Sequence, residues 1–327
     1  MDICKIGIVG TGYAARKRAE AIAKDPRAAL VGVTGNSPER IASFSQEFGV
    51  RAVDSWTRLI DTSDIDLVIV CTLNRDHGIV TRAALEAGKH IVVEYPLALN
   101  HAEAEAIIQL AQTKQKLLHI EHMELIGGLH QAMKEYLPQV GKVAYARYQT
   151  IAFQSEPPRN WKYHREMFGF PLNAALSRVH RLTDLFGSVD QVFAANTYWP
   201  VPETDYFAAC LCNAQLRFAN GVMADITYGK GNAFSWSNRI FEIHGDRATL
   251  IFEGEKGTLI RGKEKTPIPV SSRRGLFAKD TQMVLDYLFE GVNLYLEPSA
   301  SLYATKVADA AKESVQTNKV VTVDPAI

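Results

Sequence analysis

Two hydrophobic periods divide the chain. Up to about residue 122, short β-branched runs at 5–10, 28–33, 65–72, 90–95 and 116–122 alternate with helix-period stretches at 14–24, 38–48, 76–87 and 101–112. Several runs are apolar at consecutive positions, as in 65-IDLVIVCT-72, which a strand buried on both faces requires. Pro38 at a helix start, Gly88 after a helix end and Ser55 ahead of a short helix at 56–61 fall where helix termini need them. Strand–helix–strand units of this kind predict a doubly wound parallel sheet.

From about residue 140 the texture changes. Long β-rich segments at 141–153, 190–199, 206–218, 221–230, 238–245 and 248–254 follow one another through turns, with Asn220-Gly221 and Glu253-Gly254 as tight-turn dipeptides. Two helices, 277–291 and 299–315, close the chain. The expected architecture is therefore α/β followed by α+β. An N-terminal doubly wound domain would occupy 1–124, and an open, mostly antiparallel sheet domain 125–327. One face of that sheet would pack on helices, leaving the other for a ligand or a second subunit.

Composition narrows the partners. Thirty-six Lys and Arg balance 36 Asp and Glu, so no net positive field recruits nucleic acid or anionic membrane. The longest apolar runs are far shorter than the roughly 20 residues of a spanning helix, and no leader pattern is evident, so a cytoplasmic protein is expected. Four cysteines without CxxC spacing make no disulfide framework. The stretch 119-HIEHMEL-125 looks like a metal motif, but on a strand its ligands would point to opposite faces, and no metal is expected.

The strongest local signal is 7-GIVGTGYAA-15. Gly10 and Gly12 end the first strand and open the first helix, where a tight turn and a close pyrophosphate approach demand glycine, and Ala15 permits close helix packing. Tyr13 and Ala14 would present their backbone N–H groups to the phosphate. The second strand ends in 33-VTGNSPER-40, with Gly35 where an acid would bind a ribose hydroxyl. Asn36, Ser37 and Arg40 suit a 2′-phosphate, so NADPH is the expected cofactor; the competing reading makes Arg40 a solvated helix residue beside Glu39.

With this loop, the segment 68-VIVCTLNRDHGIVTRAALEAGKHIVVEYPLAL-99 resembles the glucose–fructose oxidoreductase family of NAD(P)-dependent dehydrogenases. The resemblance implies a Rossmann domain and a C-terminal open-sheet domain. It also implies a catalytic lysine in Glu-Lys-Pro and a later Asp-x-Gly-x-His segment. Here Tyr95 replaces that lysine, and Ser177, Val179 and Arg181 stand at the Asp, Gly and His positions. Oxidising an alcohol needs a base, and the usual ones are gone. The Glu-Tyr-Pro variant, together with 116-KLLHIEHMELIGGLHQA-132, 167-MFGFPLNAALSR-178, 245-GDRATLIF-252 and 272-SRRGLF-277, resembles the biliverdin reductase branch of the superfamily along the whole chain. That resemblance implies hydride transfer from NADPH to the central methine carbon of biliverdin, giving bilirubin. A family sugar or inositol dehydrogenase and a non-catalytic NADP-binding regulator are the alternatives.

Expected site residues follow. Thr72, Asn74 and His77, in the loop after the third run, and Glu94 and Tyr95, at the end of the fourth, would meet the cofactor, His77 having core packing as its competing reading. Tyr95 would also bracket a planar substrate, and His122 or Glu124 would line the substrate cleft. Arg178 is the expected catalytic residue. As a poor acid it would stabilise charge, hold a proton-donating water or grip a propionate. Arg181 either joins it at the substrate or pairs with Asp184 on the same helix. Arg273-Arg274 and the aromatic stretches 161–164 and 234–238 have both ligand and packing readings open. A homo-oligomer through the free sheet face is the expected assembly.

Overall fold

The structure, a computed structural model, describes residues 3–325. In chain order the elements are β1 (Cys4–Val9), α1 (Tyr13–Ile22), β2 (Ala28–Thr34), α2 (Pro38–Phe48), β3 (Arg51–Ala52), α3 (Trp56–Ile60), β4 (Leu67–Val70), α4 (His77–Glu86), β5 (His90–Glu94), α5 (His101–Thr113) and β6 (Leu118–Glu121). Then come α6 (Gly128–Val140), β7 (Val143–Phe153), α7 (Arg165–Phe168), α8 (Pro171–Ala174), α9 (Ser177–Phe186), β8 (Val189–Pro200), β9 (Phe207–Phe218), β10 (Met223–Gly231) and β11 (Asn238–Gly245). The chain closes with β12 (Thr249–Glu253), β13 (Lys256–Arg261), β14 (Glu264–Ile268), α10 (Leu276–Glu290), α11 (Pro298–Thr317) and β15 (Val321–Thr322). Among the described residues no helix is long and apolar enough to cross a membrane.

The chain forms two compact units. The first is the chain up to Met123 with Arg274–Ser301, and the second is Glu124–Arg273 with the chain from Leu302. In the first, six parallel strands lie in the order β3-β2-β1-β4-β5-β6, the doubly wound arrangement whose ligand crevice lies at the carboxyl ends of the strands. β4 is buried at every position, which is why its sequence Leu-Val-Ile-Val shows no alternation. Helix α10 belongs here, its Val284 and Leu285 packing with Ala15, Ala19 and Ile22 of α1. The sequence reading had assigned 274–301 to the second domain; the apolar stripe of α10 finds its partner on α1 instead.

The second unit holds nine strands in the order β14-β13-β12-β11-β7-β10-β9-β8-β15, antiparallel except for β7 beside β10. Strands β13 and β14 and helix α6 have no counterpart in the sequence reading. The two strands end the sheet, and Lys256, Gly257, Glu264 and Pro267 give them the short, charged, interrupted character of an edge rather than an alternating pattern. Register puts Tyr148 beside Ile226 and Phe241, and Tyr228 beside Thr150, so these side chains share one face. The opposite face exposes Phe153, Phe193, Trp199 and Met223.

Candidate active site

At the end of β1 the backbone itself makes the first part of the site. Gly10 holds φ +133, and a Cβ there would lie 2.3 Å from the Cys71 carbonyl oxygen, so no other residue fits. Gly12 is different: a Cβ there would meet nothing within 4 Å. It caps α1 with no side-chain hydrogen bond, so the first N–H groups of the helix, from Tyr13 and Ala14 onward, face an open approach. A dinucleotide's pyrophosphate fits that cradle. Asn36 and Arg40 are exposed beyond β2. Ser37 caps α2, accepting from the Arg40 N–H at 3.3 Å and donating to Glu39 at 2.6 Å, so its hydroxyl already serves the fold.

At the ends of β4 and β5 the expected residues converge. His77 is buried, with Nδ1 2.8 Å from the Pro96 carbonyl oxygen and Nε2 3.3 Å from that of Thr72; both ring nitrogens are engaged by backbone, and burial lowers its pKa. It therefore follows the packing reading and ties the loop of Thr72 and the buried Asn74 to the Tyr95-Pro96 turn. The half-buried Tyr95 ring stacks on His122 at 5.1 Å and 9°. His122 is itself buried, its N–H donating to the Tyr295 hydroxyl at 3.0 Å and Nε2 lying 2.8 Å from Ser301 Oγ. It backs Tyr95 rather than lining a cleft, a correction that follows from its position beneath the ring.

Under this turn lies a charged network absent from the sequence reading. Arg18, wholly buried on α1, bonds Glu94 through Nε at 3.3 Å and Nη2 at 3.2 Å, Thr281 at 3.0 Å, and Asp280. Asp280 also accepts from Tyr295 at 2.7 Å and bonds His119 at 2.9 Å. Burial alone would raise the Asp280 carboxyl, but Arg18 and His119 hold it far below the usual range. Glu121, next to Glu94 in the β5–β6 register, is pushed well up by burial and then by Glu94 and Asp280. The Nε2 atoms of His119 and His122 lie on separate partners, Asp280 and Ser301.

The second unit carries the arginines. Arg178 and Arg181, one turn apart on α9, lie over neighbouring tyrosines of the sheet: Arg178 over Tyr228 at 5.3 Å, Arg181 over Tyr148 at 5.8 Å. Arg178 is half-buried and also donates to Ser177 Oγ at 3.1 Å. The wholly buried Arg181 bonds Glu124 at 3.0 Å. Its expected partner Asp184 is exposed and bonds His130 at 2.6 Å and Lys134 at 3.1 Å instead; the pairing on helical spacing fails because the two side chains divide between core and surface. Arg273 pairs with Glu124. The aromatic stretch at 161–164 packs, Tyr163 joining Phe168, Phe207 and Cys210, while Trp236 is exposed.

A Rossmann sheet, a glycine turn open to phosphate and an open-sheet second unit define a dinucleotide-dependent oxidoreductase. Family models agree: the oxidoreductase family's NAD-binding Rossmann fold matches residues 4–122, and its C-terminal alpha/beta domain matches 134–323. The chain belongs to this oxidoreductase family. It is similar to the crystal structure of biliverdin reductase in complex with biliverdin and NADP+ from Synechocystis sp. PCC 6803, at 53% identity and a TM-score of 0.94, over 95% of this chain and 99% of that one. It is also similar to mouse biliverdin reductase A (31% identity over 57% of this chain) and the human protein (29% over 63%). These matches span 59% and 65% of the mouse and human proteins' own lengths.

Proposed function

We propose that the chain is an NADPH-dependent biliverdin reductase, reducing the central methine carbon of the linear tetrapyrrole to give bilirubin, and that it works in the cytoplasm, where NADPH is regenerated. The observation that carries this is the likeness, over nearly the whole of both chains, to a protein crystallised with biliverdin and NADP+. The side chains agree with it. Reducing a conjugated methine leaves no hydroxyl to deprotonate, so Tyr95 and Arg181 in place of lysine and histidine remove nothing the reaction needs.

Bound NADPH would supply the hydride, and a proton from solvent on a pyrrolic nitrogen would complete the reduction. Gly10, Gly12, Tyr13 and Ala14 would hold its pyrophosphate. Asn36 and Arg40 would hold the 2′-phosphate, with Ser37 shaping that turn. Thr72, Asn74 and Glu94 would meet the nicotinamide end, and Tyr95, stiffened from behind by His122, would offer the substrate a flat wall. Arg178 keeps its proton, because a guanidinium is a very poor acid; it stabilises negative charge on the tetrapyrrole as electrons arrive. The apolar side chains exposed on the outer sheet face support a homo-oligomer through that face, which light scattering of the pure protein tests.

Mixing the protein with NADPH and biliverdin should consume one NADPH per yellow product formed. Binding of NADPH with no turnover, or oxidation of a sugar in place of bilin reduction, would overturn the reading. Arg178→Ala should lower kcat about a hundredfold or more, the scale of a lost charge-stabilising donor, with NADPH affinity unchanged. Arg40→Ala should weaken NADPH and leave NADH binding as it was.

A further inference from the structure

A lysine is buried in the second unit, and the functional reading makes no use of it. Lys230 follows Tyr228 by two positions on β10, so both side chains point to the inner face of the sheet, and Lys230 is 5% exposed. Its Nζ lies over three rings, Phe168 at 3.3 Å, Tyr163 at 4.7 Å and Phe207 at 5.2 Å, and it donates to the Lys162 carbonyl oxygen. No carboxylate among the described residues pairs with it. An ammonium so placed is held chiefly by ring faces, an attraction that is strongest where water is excluded.

What Lys230 grips leads to Arg178. The Phe168 ring lies nearly parallel to Tyr228, 6.5 Å and 21° away, and the Arg178 guanidinium lies over that same Tyr228 ring at 5.3 Å. The chain is continuous as well: the turn at 161–163, α7 and α8 lead straight into α9, which carries Arg178 ten residues after Phe168. Lys230 therefore fastens this segment at two points, the Lys162 carbonyl and the Phe168 ring. Its charge is the variable part of that grip. Burial pushes Lys230 down to about 7, Lys162 on the turn acts in the same direction, and Cys210 on β9 acts against them. Burial raises both Tyr163 on the turn and Cys210, the thiol to about 11, so these neighbours stay neutral while Lys230 titrates. Arg165 of α7 lies instead over Tyr198.

We propose that Lys230 is a positioning residue for the reaction: as an ammonium it fastens residues 161–168 to the sheet and, through Phe168 and Tyr228, fixes the guanidinium of Arg178. The proposal rests on the role given to Arg178 above and deepens it. The neutral amine has no charge to offer the rings, so the segment slackens and Arg178 loses the floor it lies on. Since the charged form is the working one, turnover is held below about pH 7 and lost as pH rises through that value.

The test follows kcat for biliverdin reduction against pH. In the unaltered chain kcat should fall above about pH 7 along a limb of one proton. Lys230→Met, unbranched and uncharged, should lose that limb and lower kcat about tenfold at about pH 6, short of the hundredfold that a one-ångström misplacement can cost. Lys230→Arg, charged at every pH, should recover most of that loss and hold its rate past about pH 8.5. Full activity of Lys230→Met at about pH 6, or an alkaline limb that stays in place in Lys230→Arg, would overturn the proposal; if Lys230→Met fails to fold, Lys230→Arg decides. If the protein ignores biliverdin altogether, the functional reading fails separately, and amide hydrogen exchange then decides the fastening. Corrected for the intrinsic rate, exchange at 161–168 should rise about tenfold between about pH 6 and about pH 8.5 in the unaltered chain and not in Lys230→Arg. No rise in the unaltered chain would sink the proposal.

Discussion

Arg18 in the first unit and Arg181 in the second are both wholly buried guanidinium groups on helices, and they are treated in opposite ways. Arg18 spends its donors on Glu94, Asp280 and Thr281, with two carboxylates for one cation. Arg181 makes one bond to one carboxylate, which it shares with other arginines, and keeps two unbonded nitrogens. A buried cation whose hydrogen bonds are complete is a lock: it fixes α1, α10 and the end of β5 against each other. One left short of acceptors in a crowd of like charges contributes little to the fold.

The contrast predicts unequal costs. Arg18→Met strands Asp280 and Glu94 without their cation and should cost about 3–5 kcal/mol in urea unfolding, the range for breaking a buried pair from one side. Arg181→Met removes an incompletely bonded charge and leaves Glu124 with Arg273, so it should change stability by no more than about 1 kcal/mol. Equal losses in the two variants would break the comparison.

Acid should weaken the protein through histidines that burial keeps neutral, His77 in the first unit and His180 in the second. Burial lowers the His180 pKa to about 4, so the folded protein resists a proton that the unfolded chain accepts near 6.5. Stability is therefore full above about 6.5 and is lost as pH falls towards 4. Asp280, held far lower, stays charged throughout that window. Urea midpoints should fall between pH 7 and 5, and His180→Phe should flatten the decline. The smallest effect on stability belongs to Gly12→Ala: with nothing near its Cβ, thermal unfolding should shift by no more than about 2 °C, the size of a change well under 1 kcal/mol, while NADPH binding is lost. Gly10→Ala, by contrast, should fail to fold normally.

Part of this site was legible before any coordinates. The glycine turn was, because its chemistry is backbone chemistry written at one place in the chain. The lock left a trace that went unread: Arg18 falls on the stripe Ala15, Arg18, Ala19 and Ile22, and Asp280 on the stripe Leu276, Asp280, Thr281, Val284 and Leu285. A charge on an apolar stripe must find a partner inside, but 262 residues separate these two, and spacing says nothing across such a distance. Glu124 could be named beside His122 as a candidate for the substrate cleft, but not its partners, the arginines lying 57 and 149 residues away. Arg239 shares the face of the buried Phe241 and Ile243 on β11, a charge on an apolar face like Arg18.

The Ser37 cap bears on redesign. An engineer seeking to move this protein from the phosphorylated to the plain dinucleotide would reach first for an acid at the end of β2. At Gly35 a new Cβ would press to 3.2 Å on the Thr11 methyl, beside the turn that cradles phosphate, and at Ser37 the change would forfeit the hydroxyl that opens α2. Asn36 is exposed and precedes the cap, so an acid there would leave both the Thr11 contact and the opening of α2 as they are.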